Sequence, residues 1–147
     1  MKHMKNCIFC TTKNNTDSTT IAQFGQWTLR LNPYQFLPGN CVLVYNPHIE
    51  GLTNLPEKEL LEAFRLFKKI ETALEKSLDV DRFNYLQTNN NVTHLHFHII
   101  PRYAKPITFE GETFIDENFK SMPKESGRTL PPEIMKKLIT LIQKNLK

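Results

Sequence analysis

The chain has no long apolar run. Nothing in its 147 residues approaches the roughly 20 consecutive apolar residues that a helix needs to cross a bilayer, so no membrane partner is expected. Met1 to Asn6 is polar and basic and too short of apolar residues for a secretory signal; a cytoplasmic protein is the expectation. Cysteine is scarce, and the odd count of three argues against a disulfide framework. Internal repeats and low-complexity tracts are absent. The net charge of +4 is modest, and no basic stripe interleaved with aromatics marks nucleic acid as a partner. The length suits one domain, residues 1–147, with a core that needs no disulfide staples.

Hydrophobic period then separates strands from helices. Ile21–Phe24 and Trp27–Leu31 flank Gly25-Gln26 and read as a hairpin. Thr11 to Thr20 before it, and Asn32 to Asn40 with Pro33, Pro38 and Gly39 after it, read as loops. Cys41–Tyr45 is a β-branched run expected to be a central strand, with Cys41 a small buried hydrophobe. From Pro56 to Leu78 apolar residues recur at three- and four-residue steps. This predicts a helix whose inward face holds Leu60, Phe64, Phe67, Ile70, Leu74 and Leu78. Phe83–Gln87 and Thr93–Ile100 follow as strands, with Pro101 expected to end the second. Ile107–Ile115 reads as a small hairpin about Glu110-Gly111. Pro132–Leu146 reads as a second amphipathic helix with Ile134, Leu138, Leu141 and Ile142 inward. Sequential strands with two separate helices predict an α+β fold, about five antiparallel strands and two main helices.

The sharpest feature is His94-Leu95-His96-Phe97-His98-Ile99-Ile100-Pro101-Arg102. Strand side chains alternate faces, so the three histidines share one face, with same-face neighbours about 7 Å apart. Three of the chain's five histidines in one row contribute little to packing. They suit either a three-histidine metal site or nucleophilic catalysis by a neutral imidazole. Separately, Cys7 and Cys10 form a C-x-x-C pair. Two such thiolates bind metal, do redox chemistry or are simply buried.

The H-φ-H-φ-H-φ-φ run resembles the signature of the histidine triad (HIT) superfamily of nucleotide hydrolases and transferases. Leu31 to Val44, with its Leu37-Pro38-Gly39-Asn40, is similar to the loop and strand those proteins place before the first helix. The resemblance covers about residues 7 to 103, leaving 104–147 as a divergent C-terminal segment. The family's Gly-rich loop before the triad is reduced here to Thr88–Thr93.

That resemblance implies a HIT-like fold and cleavage of nucleotide conjugates at the α-phosphate, with dinucleoside polyphosphates or nucleoside phosphoramidates as substrates. His96 would be the nucleophile that forms a nucleotidyl-histidine intermediate, and His98 would assist the leaving group. Asn32 would hold the ribose, and Asn89 and Asn91 the phosphate. A homodimer is also implied. The alternative is a nucleotide-binding module with little or no turnover. A zinc-bearing branch of the superfamily implies a partner set for the cysteines: Cys7, Cys10, His48 and His94 would bind one structural Zn²⁺ per chain. Residues 1–20 would then be a zinc-binding segment. The base pocket is expected to be apolar, formed from Phe24, Trp27 or Leu29.

Overall fold

The computed structural model describes residues 6–11 and 17–147. The expected loop Thr11 to Thr20 and the zinc-binding segment 1–20 therefore fall partly outside the described residues. The fold is α+β. Strands β1 (Thr20–Phe24), β2 (Trp27–Leu31), β3 (Cys41–Tyr45), β4 (Arg82–Leu86) and β5 (His96–Arg102) form one antiparallel sheet in the order β1-β2-β3-β5-β4. Helices α1 (Glu57–Ser77) and α2 (Pro132–Asn145) and a separate hairpin, β6 (Ile107–Phe109) with β7 (Glu112–Phe114), complete it. Among the described residues no helix is long and apolar enough to cross a membrane.

Strand alternation gives the sheet two unlike faces. Trp27, Leu29, Leu31, Leu43, Phe97 and Ile99 join Ile70 and Leu74 of α1 and Leu138 and Ile142 of α2 in the main core. The opposite face carries two cross-strand rows fixed by register: Thr28, Val44 and His96 in one, Arg30, Val42, His98 and Leu86 in the other. A second, smaller apolar cluster forms here, in which Cys7 and Phe9 of the N-terminal segment cover Val42 and Val44. The sheet thus spends one face on stability and leaves the other for chemistry.

Three expectations need correction. The buried stripe of α1 is Ala63, Leu66, Ile70, Ala73 and Leu74, whereas Leu60 and Phe64 are exposed, Phe64 to 65%. Small alanines allow close approach to the helix, so large residues alone misplace its inward face. In α2 the buried positions are Leu138, Ile139 and Ile142, with Ile134 and Leu141 half-buried.

Strand β5 begins at His96, later than expected, and runs through Pro101, which lies opposite Phe83. The carbonyl of Leu95 accepts from Tyr45 N–H on the β3 side, so by alternation Pro101 also points its nitrogen that way. The β3 ladder stops at Cys41 opposite Ile99, and the missing N–H costs no ladder bond.

Segment 104–130, hard to read from sequence beyond its hairpin, is organised around Arg102. This guanidinium is 1% exposed. Its Nε and Nη2 donate to Asp116 at 2.7 and 2.9 Å, and Nη1 donates to Asn84 Oδ1 and the Ser121 carbonyl. Nη2 also reaches the Asn118 carbonyl at 2.6 Å. With all five donors of the fork satisfied, the charge is tolerated inside.

Candidate active site and metal centre

The loop Asn32–Asn40 is held in shape from within. Buried Gln35 donates through Nε2 to the carbonyls of Asn32 and Asn40, and its Oε1 accepts from Gly39 N–H. Gly39 has φ +85°, and a Cβ there would come within 2.9 Å of Leu78 and 3.2 Å of Leu74. Glycine is therefore required both by conformation and by close approach. Asn32 accepts from Tyr34 N–H at 2.9 Å, which fixes its side chain at the rim of the histidine face.

That face floors a cleft of about 610 Å³, to which His96, His98, Asn32 and Asn91 all contribute. Asn89 does not. Its backbone is left-handed, φ 52°, and its side-chain amide donates to the Glu50 carbonyl, which turns it from the cleft. Asn90 takes a place in the lining instead.

His96 is buried, and its Nδ1–H donates to the His94 carbonyl at 2.7 Å. A backbone carbonyl only accepts, so this bond selects the tautomer with Nε2 unprotonated. The His98 ring packs against it, centroids 5.0 Å apart. Burial first, and the neighbouring His96 second, hold His98 down to about 4 from its ordinary 6.5, so the His98 imidazole is neutral near pH 7.

The shift of His98 has a measurable consequence. A group depressed from 6.5 in the unfolded chain to about 4 in the fold contributes stability above pH 6.5 that is lost as pH falls toward 4. Between these values wild type is expected to lose more stability than His98→Asn in urea titrations. Parallel pH curves for the two proteins would contradict it.

The first triad histidine belongs to a different group. Cys7, Cys10, His48 and His94 bring one ligand atom each to within 4.8 Å of one another. Cys7 Sγ and Cys10 Sγ each lie 3.4 Å from His94 Nδ1, Cys10 Sγ lies 3.4 Å from His48 Nδ1, and the two Nδ1 atoms are 3.1 Å apart. A tetrahedral zinc, with Zn–S about 2.3 Å and Zn–N about 2.0–2.1 Å, would separate N from S by roughly 3.6 Å and N from N by roughly 3.3 Å. The donor set and its spacing fit a Cys₂His₂ zinc site. The outer contact of His94 fits as well, since its Nε2 meets the Tyr45 carbonyl. Such a partner leaves the other imidazole nitrogen, Nδ1, for a metal.

Not every cleft residue was legible in the sequence. Phe24, Trp27 and Leu29 lie with the main core, on the side away from the histidines, which overturns the expected base pocket. The cleft is walled instead by Phe9, Arg30 and Asp17. Phe9 spans the site, its ring 5.3 Å from His96 and 5.4 Å from the Arg30 guanidinium. The signal for Arg30 was its place in β2, but only the pairing register puts it in line with His98.

A five-stranded antiparallel sheet with two helices on one face and alternating histidines on the other defines a histidine triad protein. The family model for the HIT domain matches residues 13–105, and the chain belongs to the HIT family. An uncharacterized HIT-like protein of Methanocaldococcus jannaschii is 31% identical over 105 residues, 66% of this chain and 79% of that one. Two solved structures share the fold. One is a Hit-like protein involved in cell-cycle regulation from Bartonella henselae, with an unknown ligand (20% identity, TM-score 0.74, 99% of each chain). The other is a Zn-bound histidine triad protein from Mycobacterium smegmatis (19% identity, TM-score 0.68, 95% of this chain and 94% of that one).

Proposed function

We propose that the chain is a nucleotidyl hydrolase or transferase that cleaves nucleotide conjugates at the α-phosphate, dinucleoside polyphosphates and nucleoside phosphoramidates being the substrates to test first. The observation that carries this reading is the 2.7 Å bond from His96 Nδ1 to the His94 carbonyl. It orients the ring so that Nε2 faces the substrate as a nucleophile without a separate base. His96 Nε2 attacks the α-phosphorus and the bond to the leaving group breaks, giving a nucleotidyl-histidine. His98 assists the departing oxygen or nitrogen; a phosphate anion beside it favours its protonated form. Water or a second acceptor then attacks phosphorus and releases His96. Asn32 holds the ribose and Asn91 lies by the phosphate. The test is release of nucleoside monophosphate from a panel of such conjugates by wild type and by His96→Ala. Nucleotide binding without release by wild type would leave the binding-module reading in its place.

Cys7, Cys10, His48 and His94 hold one structural zinc per chain in this reading. Four protein ligands leave no open position for substrate, so the metal's part is to fasten the N-terminal segment, with Phe9, over the sheet.

The chain acts as a homodimer. Phe64, Phe67 and Tyr85 form a continuous aromatic ridge, with centroid distances of 6.0 and 4.8 Å. It runs from α1 onto β4, the edge of the sheet. A second copy related by a twofold axis would pair the two edges and cover both ridges. Sedimentation should show a dimer for wild type and a monomer for Phe64→Glu; a wild-type monomer at micromolar concentration would rule the dimer out.

A further inference from the structure

The segment that follows the small hairpin also reaches the cleft. Arg102, two same-face positions beyond His98 on β5, holds one end of it through the carbonyls of Asn118 and Ser121. Loop Asn32–Asn40 holds the other end, since Gln35 N–H donates to the Arg128 carbonyl at 2.8 Å. The same Gln35 ties down Asn32, donating from Nε2 to its carbonyl at 2.6 Å. A chain fastened at Ser121 and Arg128 crosses the end of the histidine face between those points. There Glu125 and Ser126 join Asn32 in lining the cleft. Ser126 Oγ accepts from Arg128 N–H at 3.4 Å, a local turn that keeps both residues beside Gln35.

A carboxylate in a cleft that takes an anion has a restricted set of uses. The charged side chains lining it, among the described residues, are Asp17, Arg30 and Glu125, and the first two form an ion pair at 3.0 Å. Glu125 makes no hydrogen bond or ion pair with another described residue. Its neighbour Lys124 turns to Glu117 at 3.4 Å, and Arg128 to Glu112 at 2.8 Å. Beside the α-phosphate a free carboxylate would repel the substrate. It suits a part of the nucleotide that is uncharged and donates, and that part is the ribose, whose two hydroxyls a carboxylate accepts with its two oxygens. Asn32 alone meets this need poorly, because its Oδ1 already accepts from Tyr34 N–H at 2.9 Å.

We propose that Glu125 accepts hydrogen bonds from the ribose hydroxyls beside Asn32 and makes the cleft selective for ribonucleotides over their deoxy counterparts. This rests on the nucleotide reading given above. The specificity then comes from the divergent C-terminal segment, and the phosphate chemistry from the triad strand. Glu125 is exposed and its side chain holds no other described residue in place, so Glu125→Ala removes the carboxylate with little risk to the fold.

The experiment is titration calorimetry of wild type and Glu125→Ala with AMP, 2′,3′-dideoxy-AMP and inorganic phosphate, with thermal melting to check the variant's fold. The two nucleotides share base and phosphate, so their difference reports the ribose hydroxyls alone, and as reaction products they are not consumed. Wild type is expected to bind AMP roughly tenfold more tightly than the dideoxy form. Glu125→Ala should lose most of that preference by weakening AMP, with dideoxy-AMP and inorganic phosphate held no less tightly than before. Equal affinity of wild type for the two nucleotides overturns the proposal and leaves the nucleotide reading standing. So does a preference that survives in Glu125→Ala. An equal loss for both nucleotides marks a role in shaping the segment, and an equal gain marks simple repulsion of the phosphate; either overturns it too. No binding of any nucleotide by wild type overturns both readings.

Discussion

Replacing His96 by alanine is expected to lower release of nucleoside monophosphate by on the order of 10⁴-fold or more while leaving nucleotide affinity within a few-fold of wild type. The size follows from the role. Loss of a nucleophile removes the covalent step itself, and His98, which serves the leaving group in this reading, does not replace it. Affinity survives because the cleft keeps Asn32 and Asn91. Folding should survive too, since the side chain's bond is a single one to the His94 carbonyl, and losing it costs about 1 kcal/mol. Rapid-quench kinetics on wild type should also trap nucleotide on protein, in an acid-labile form typical of a phosphoramidate. Turnover that persists in His96→Ala would remove the histidine from the mechanism.

Much of this was legible in the sequence because the signals were periodic. Alternation placed His94, His96 and His98 on one side of the sheet and Leu95, Phe97 and Ile99 on the other, and the main core contains those three apolar residues. The hairpin at Gly25-Gln26 and the β6–β7 turn at Glu110-Gly111 followed from local turn chemistry; both glycines have positive φ. What stayed hidden depended on pairing between distant segments. The inward face of α1 was set by Ala63 and Ala73, which carry little weight in a hydrophobic count. Gln35, apolar in nothing but its burial, ties Asn32 to Asn40 through backbone carbonyls that no motif reveals. Arg102 closed the triad motif without a visible partner, because Asp116 and Asn118 lie in a segment with no periodic pattern. Asn89 looked equivalent to its asparagine neighbours until its left-handed backbone turned it toward Glu50.

Metal removal should act in two separable stages, and the order of the stages distinguishes a structural zinc from a catalytic one. Protein purified without added metal is expected to carry close to one zinc per chain by elemental analysis. Stripping it with a strong chelator should first release the N-terminal segment. The reason lies in how burial is divided. The main core of Trp27, Leu43, Ile70, Leu74, Leu138 and their neighbours contains no metal-ligating residue, whereas Cys7 and Phe9 belong to a separate small cluster on Val42 and Val44. Few apolar contacts hold that cluster, and without a metal its two thiols and two imidazoles are polar groups at low solvent exposure. Amide exchange should therefore quicken around residues 7–11 and near His48 and His94 while the central strands stay protected. The melting temperature should drop by several degrees, a few kcal/mol of linked binding energy. Activity should fall in step with that release, because Phe9 walls the cleft 5.3 Å from His96, and Cys7→Ser should reproduce both effects. A chelator that abolished turnover with no change in melting or exchange would make the metal catalytic instead. A fully folded protein that never contained zinc would dismiss the site.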